Sequence, residues 1–384
     1  MDDKDKASVW GSRAAVYMEY GYDGNTKSLD YIERAIKLDE NEAEWHFLLG
    51  KALGRLRRIN RSRDVPQEKE INALQKAFDL TGYVPYMLFL AQVYRETAST
   101  LYRCHKDDFQ MFKAKCENMN DRAYTLYKNA LALRKDCSHV NLRCAQGILK
   151  MPREYRNMEL VSSCIKTALH LGPTNPMAHH VAGHYYWEKK DLEKARQHYR
   201  KAAESGVYGA YMDLIRLDNR TVPNYDPVPE FSRMLERFKK EKPLLLKTYV
   251  LIGSYWYFVK NDFKEAFKYW KKPLSESPTS DSVTAHTSLF LRMHTPVDIR
   301  DIVFNEAQLQ LKTESISPED SELMLDLVQE YSKGRPLNSS KSLRKKVLDE
   351  IAEAGTKFSS SRGRGQAGRG RGSNMQRGYN RGRR

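Results

Sequence analysis

The sequence predicts an all-α fold built from repeated helix–turn–helix units. The clearest unit covers residues 176–206, where small and aromatic residues stand at the spacing that helix pairing requires: Gly183, Tyr186, Ala195, Tyr199 and Ala202. Small residues let two antiparallel helices approach closely, and aromatic residues fill the groove between one pair and the next. Weaker copies of this spacing recur along the chain, and strand-like alternation is nowhere sustained. Because a single pair cannot bury its apolar face, several pairs must stack into a solenoid.

Counted from Pro176, this spacing fits the 34-residue tetratricopeptide unit. We therefore predict that residues 1–356 form one tetratricopeptide-repeat superhelix with a concave inner surface. The remaining units are predicted over these stretches: 10–35, 44–78, 86–130, 140–173, a weak one from Tyr208, and one that includes 257–278.

Several segments depart from the regular repeat. Polar sequence longer than a repeat turn predicts inserted loops near residues 56–70 and 95–120, the second of them partly helical. Three prolines interrupt the weak unit at residues 219–230, because proline cannot sit inside a helix. After the last unit, residues 283–311 and 318–351 are predicted to form amphipathic helices that cap the solenoid.

The charge is concentrated at the C-terminal end of the chain. The formal net charge is +16, and the last 27 residues, 358–384, hold eight arginines and no acidic residue, which is half of that excess. Six Arg-Gly dipeptides in this segment exclude a packed core, so residues 357–384 are predicted to be a disordered tail. Arginine pairs with phosphate and stacks on bases, which favours RNA contact through these residues: Arg362, Arg364, Arg369, Arg371, Arg377, Arg381, Arg383 and Arg384. A solubilising or localisation tail is the alternative.

Other classes of protein find little support. The acidic start, MDDKDKASV, is unlike a secretion signal, and the most apolar window, residues 244–259, is interrupted by Lys247 and too short to span a bilayer. We expect a cytoplasmic protein without membrane contact. No phosphate loop, nucleophile elbow or kinase signature is present, which favours a binding protein over an enzyme and predicts no cofactor.

Two histidines have a spacing that could suit a metal ion. His180 and His184 are one helical turn apart, but there is no HExxH motif and no acidic partner nearby in sequence. This pattern favours histidines that face the groove or the core, and we expect no metal site.

Four stretches carry a resemblance to a known family. They are VWGSRAAVYMEYG, EWHFLLGKALGRLRR, SHVNLRCAQGILK and PMAHHVAGHYYW. Their order over residues 8–351 resembles the interferon-induced proteins with tetratricopeptide repeats, cytosolic antiviral proteins that recognise the 5′ ends of foreign RNA. The resemblance implies the same fold and an RNA-binding pocket.

Carried over residue by residue, the resemblance places the RNA-binding pocket at Arg55, Arg143, Lys150 and His180. Arg143 and Lys150 are seven residues apart and so share one face of a helix. Three cations and an imidazole around a concave pocket would suit a phosphate chain. Ordinary solvated helix positions are the alternative for the three cations.

These observations predict a protein that binds single-stranded RNA, with a 5′-triphosphate end as the finer possibility, in a basic concave pocket assisted by the tail. The alternative is a protein-interaction scaffold in which only the tail touches RNA. A third interpretation is an auxiliary subunit of a ribonucleoprotein enzyme. Protein partners in the groove and a homo-oligomer both stay open.

Overall fold

The computed structural model describes residues 2–60, 64–105, 108–276, 284–286, 296–310 and 317–332. Helices dominate this part of the chain, and the predicted all-α repeat fold is confirmed. The predicted tail, residues 357–384, lies outside the described residues. The chain divides into two compact units, Met1–Leu217 and Asp218–Arg384.

The first unit consists of helices that pack in consecutive pairs. Each pair is an antiparallel hairpin, and the bounds in chain order are α1 (Asp3–Tyr17), α2 (Gly21–Leu38), α3 (Ala43–Asn60), α4 (Glu68–Thr81), α5 (Val84–Cys104), α6 (Phe109–Leu133), α7 (Ser138–Leu149), α8 (Met158–Leu171), α9 (Pro176–Glu188) and α10 (Leu192–Glu204). A short 3-10 helix, Arg153–Tyr155, precedes α8, and α11 (Tyr208–Thr221) crosses the boundary to the second unit.

The α9–α10 pair shows why the sequence folds this way. Asn175 caps α9 by accepting hydrogen bonds from the backbone nitrogens of Met177 and Ala178, and Pro176 occupies the first turn, where its missing N–H costs nothing. Asp191 caps α10 in the same way, by accepting from the backbone nitrogen of Lys194. Both helices therefore begin where the repeat spacing places them.

Close helix contact within this pair depends on Gly183. A Cβ atom at this position would lie 2.4 Å from the ring of Tyr199, which is fully buried, as are Ala195 and Ala202. The ring also packs against Leu214 at the start of the next pair. Gly183, Ala195, Tyr199 and Ala202 thus perform the packing expected of them, whereas the ring of Tyr186 stacks on His198 within the same pair.

The segments of the two predicted insertions contain more helix than expected. Residues 95–104 are the last turns of α5 and residues 109–120 are the first turns of α6, so the extra length lies in two long packed helices and not in a loop. Neither glycine nor proline occurs in 95–120, so nothing in the sequence ends these helices early. Near 56–70, helix α3 continues to Asn60, and only residues between it and α4 are candidates for an inserted loop.

The second unit contains the remaining elements. They are α12 (Val228–Phe238), α13 (Lys242–Phe258), α14 (Phe263–Glu276), the antiparallel strands β1 (Thr284–His286) and β2 (Pro296–Asp298), α15 (Ile299–Gln310) and α16 (Pro318–Ser332). Its core surrounds Trp270, which is completely buried and packs on Gly253 as Tyr199 packs on Gly183. None of the described helices combines the length and the apolar character needed to cross a bilayer.

The predicted capping helix over 283–311 is correct only in its second half. The structure has strand residues at 284–286 and 296–298, and α15 begins at Ile299. Pro296 cannot continue a helix, and Asp298 caps α15 by accepting a hydrogen bond from the backbone nitrogen of Arg300 at 2.9 Å. Of the second predicted capping helix, residues 318–332 are α16 and residues 333–351 lie outside the described residues.

Candidate functional site

The first helices of successive pairs form a continuous row in the first compact unit. Helix α3 packs on α5, α5 on α7, and α7 on α9. In a solenoid of helix pairs such a row lines one side, and this side commonly forms the binding surface. Side chains on α3, α5 and α7 are therefore the candidates for a ligand site.

A group of cations lies on these three helices, and we call it the basic cluster: Arg58, Arg95, Arg143 and Lys150. Charge interactions link its members. Besides burial, the charges of Arg95 and Arg58 lower the pKa of Arg143, and those of Arg95 and Arg143 lower the pKa of Lys150. The structure thus brings Arg143 and Lys150 together, as their spacing on one helix predicts. Arg58 and Arg95 join them from the two preceding pairs.

Arg143 is half-buried, and the side chains of its hydrogen bond and ring contact are uncharged. Its guanidinium donates a hydrogen bond to Oε1 of Gln92 at 2.5 Å and lies over the ring of Phe89, 5.3 Å from the centroid. Burial is the main cause that lowers its pKa. Among the described residues, no carboxylate forms an ion pair with Arg143.

Lys150 ends α7 and is exposed to solvent. Its pKa is nevertheless lowered, first by desolvation and then by the charge of Arg95. In the described part of the chain Lys150 has no ion-pair partner either.

Arg95 is a largely buried member of the basic cluster. Its side chain is only 11% exposed, and its nearest acidic contact is Oε1 of Glu96 at 3.6 Å. The Nε atom is buried and has no hydrogen-bond partner among the described residues. Tyr127 lies beside it, and the charge of Arg95 opposes the rise that burial causes in the tyrosine's pKa.

Beside the basic cluster lies a buried ion-pair network centred on Arg57. Its guanidinium donates to Glu70 at 2.8 Å and to Glu96 at 2.6 Å, and the side chains of Arg57 and Glu70 are 8% and 3% exposed. Burial acts to raise the pKa of Glu96, but the charge of Arg58 and the hydrogen bonds from Arg57 and Gln92 lower it to about 2. Together, the cluster and this network hold five cations and two carboxylates, so this region keeps a positive excess.

The two other predicted pocket residues have different neighbours. Arg55 donates to the backbone oxygen of Met18 at 2.7 Å and lies 3.5 Å from Glu19, which ties α3 to the end of α1. His180 on α9 is 12% exposed, and its Nε2 is hydrogen-bonded to Oδ2 of Asp213 at 2.8 Å. Of the four predicted pocket residues, the structure therefore groups Arg143 with Lys150 by their charge interaction. Arg55 is hydrogen-bonded to Met18 and His180 to Asp213.

Asp213 is the centre of a second group of titratable side chains. The Nε2 atom of His184 lies 3.4 Å from the same Oδ2 oxygen, and Arg216 is hydrogen-bonded to the other oxygen, Oδ1. Burial acts to raise the pKa of Asp213, but the hydrogen bond with His180 and the charges of His184 and Arg216 lower it. Burial lowers the pKa of His184 to about 4.

Sequence reasoning missed Arg58, Arg95 and Asp213. Arg95 stands at the start of the stretch predicted as an inserted loop, so its place inside α5 was not expected from the sequence. Asp213 had no local signal, because 33 positions separate it from His180. The search for an acidic partner nearby in sequence could not find it.

The consecutive helix pairs define a tetratricopeptide-repeat solenoid, and the basic cluster lies on its row of first helices. Neither a scan against protein-family models nor a search of curated proteins found a match. Among solved structures, the human IFIT1 dimer with m7Gppp-AAAA is similar at 14% identity and TM-score 0.51, over 90% of this chain and 72% of that chain. A monomeric IFIT1 mutant with the same RNA matches at 13% identity and TM-score 0.50, over 89% and 71%. A thermophilic TPR protein of Thermus thermophilus matches at 17% identity and TM-score 0.41, over 56% and 98%. The first two likenesses support the repeat fold.

Proposed function

We propose that this protein binds single-stranded RNA on the basic cluster and acts as an RNA-binding tetratricopeptide-repeat protein of the antiviral innate immune type. The observation that carries the proposal is that Arg143 and Lys150 meet on the groove-lining row of helices without a carboxylate partner among the described residues. A cytoplasmic location is the expectation for such a protein.

The charge balance favours an anionic ligand. Burying a cation costs free energy unless an opposite charge or a strong acceptor compensates it. Arg143 contacts the amide of Gln92 and the ring of Phe89, and the carboxylate of Glu96 acts on its charge only from beyond ion-pair distance. Phosphate oxygens would supply the missing charge-assisted hydrogen bonds, and a planar guanidinium held by a ring suits phosphate geometry.

Two further observations favour RNA over an acidic peptide. The IFIT1 structures with a similar fold hold a short capped RNA, m7Gppp-AAAA. The arginine-rich tail, residues 357–384, would add contacts that do not depend on base sequence. Recognition of a phosphorylated 5′ end is the finer part of the proposal, because a 5′ triphosphate concentrates negative charge where the cluster is most basic.

The test is RNA titration of full-length protein and of the Arg143→Glu variant at one fixed salt concentration. The ligands are two short single-stranded RNAs that differ only in a 5′ triphosphate or a 5′ hydroxyl. Arg143→Glu removes charge-assisted bonds and adds repulsion, so binding should weaken by about 2–4 kcal/mol. The matched control is Arg134→Glu at the exposed end of α6, which should change binding by less than about 1 kcal/mol.

The comparison is repeated without residues 357–384, so that groove and tail contributions separate. The triphosphate form should bind more tightly to the parent, and Arg143→Glu should abolish that preference while leaving the helical circular dichroism spectrum unchanged. Equal binding of RNA by the parent and Arg143→Glu would contradict the proposal. The groove would then be left to a protein partner, with the tail as the RNA contact.

A further inference from the structure

The group formed by His180, His184 and Asp213 has a geometry that the proposed RNA site does not use. Helix α9 places the two histidines one turn apart on the same face, and α11 brings the carboxylate against them. One oxygen, Oδ2 of Asp213, lies 2.8 Å from Nε2 of His180 and 3.4 Å from Nε2 of His184. One ligand atom from each of the three residues lies within 4.8 Å of the others.

We propose that His180, His184 and Asp213 bind one Zn²⁺ ion through the two imidazoles and the carboxylate. Zinc takes imidazole nitrogen and carboxylate oxygen at about 2.0–2.2 Å, so its ligand atoms stand about 3.3 Å apart in a tetrahedral site. The two nitrogen–oxygen distances bracket that value. The two imidazole nitrogens lie within 4.8 Å of each other, so the rings would close on the ion to complete the site.

Neighbouring residues already orient two of the three ligands, His184 and Asp213. The hydroxyl of Tyr199 is hydrogen-bonded to Nδ1 of His184 at 3.0 Å, which leaves Nε2 directed at Asp213. Arg216 occupies Oδ1 of the aspartate, so Oδ2 is the oxygen presented to the histidines. Partners of this kind around a metal site fix ring orientation and raise affinity.

Two glycines allow the rings to reach these positions. A Cβ atom at Gly183 would lie 2.4 Å from the ring of Tyr199, and one at Gly209 would lie 3.1 Å from Cε1 of His180. Gly209 on α11 thus leaves room for the ring of His180, and Gly183 on α9 leaves room for Tyr199, the residue that orients His184.

The surroundings select the kind of metal. Lys150 and Arg216 oppose any dication by their charge, and the site offers a single carboxylate. Ca²⁺ and Mg²⁺ depend on several oxygen ligands and would not overcome this repulsion. Zn²⁺ binds imidazole strongly, and Co²⁺ is a spectroscopic substitute with the same ligand preference. His184 is 33% exposed, so the ion is reachable from solvent and keeps a fourth position for water.

The test is titration of full-length, tag-free protein with Zn²⁺ by calorimetry and with Co²⁺ by visible absorption, under reducing conditions. The parent should bind one ion per chain, with a tetrahedral nitrogen–oxygen Co²⁺ spectrum and a higher melting temperature. His184→Ala and Asp213→Asn should each weaken binding at least about tenfold. His170→Ala, an exposed histidine on α8, is the matched control and should bind as the parent does.

Circular dichroism without metal shows whether each variant folds. Asp213→Asn keeps the shape of the side chain, so the proposal can still be tested if His184→Ala does not fold. Equal affinity in the parent and both folded variants would overturn the proposal. A thiolate-to-cobalt absorption band would do so as well, because it would place the ion on cysteine. Neither result depends on RNA binding, so the outcome stands apart from that of the proposed function.

Discussion

Arg57 on α3 and Arg143 on α7 are both partly or fully buried arginines on first helices that α5 separates, yet their surroundings are opposite. Arg57 meets two carboxylates within 2.8 Å, and although burial acts to lower its pKa, Glu70 and Glu96 raise it. Arg143 meets an amide and a ring, and burial lowers its pKa. The difference teaches that buried charge alone does not mark a binding site: carboxylates of the fold neutralise Arg57, whereas Arg143 has no such partner among the described residues and is the arginine that we propose for a ligand.

The largest expected effect comes from removing the paired arginine. Arg57→Met leaves Glu70 and Glu96 buried without their main partner, and breaking a buried ion pair in this way costs about 3–5 kcal/mol in the free energy of unfolding. Urea denaturation followed by circular dichroism measures it. A loss of less than about 1 kcal/mol would mean that the network does not stabilise the fold.

A second effect of the same network appears in acid. The pKa of Glu96 is lowered from 4.5 to about 2 in the folded protein. Because the folded value lies below the unfolded one, the stabilisation is complete above pH 4.5 and is lost as pH falls towards 2, by an amount on the order of 3 kcal/mol.

The control for this prediction is Glu96→Gln, which cannot titrate. The free energy of unfolding of the parent should fall more steeply between about pH 5 and 2 than that of Glu96→Gln, in parallel urea series. Identical pH profiles would show that Glu96 does not carry the acid dependence.

The smallest expected effect on stability is the same substitution at the unpaired arginine. Arg143→Met removes a desolvated cation and leaves no carboxylate behind, so the free energy of unfolding should change by less than about 1 kcal/mol, and a gain is as consistent as a loss. The melting curve of Arg143→Met, recorded beside that of Arg57→Met, makes the contrast direct. Equal losses in the two variants would erase the distinction between them.

The sequence was sufficient where the determining contacts are local. Gly183, Ala195 and Tyr199 lie within one helix pair, so their spacing alone predicted the pair and its packing. The same was true of Arg143 and Lys150, which their spacing on one helix brings together. The fold class followed from such local signals repeated along the chain.

It was insufficient where the partner comes from another pair. The charge of Arg95 on α5 acts on Arg143 on α7, and Asp213 on α11 is hydrogen-bonded to His180 on α9. Periodicity within one helix cannot predict such partners, because they are far apart in sequence. The helical segments 95–104 and 109–120 of the predicted insertion pack on each other around Ala98, Leu101 and Cys116, a contact between two helices that the spacing within either one does not show. The assignment of Arg55 and His180 to an RNA pocket stays a prediction.

The most direct test of the central claim is the salt dependence of RNA binding in the full-length parent and in the Arg143→Ala, Lys150→Ala double variant. Each phosphate contact to single-stranded RNA contributes a slope of about 0.7 in a plot of log affinity against log salt. If the unpaired cations hold the RNA, the slope of the double variant should be lower by about 1.4, while the tail contributes equally to both. An unchanged slope would contradict the account, because Arg143 and Lys150 would then not touch the RNA backbone.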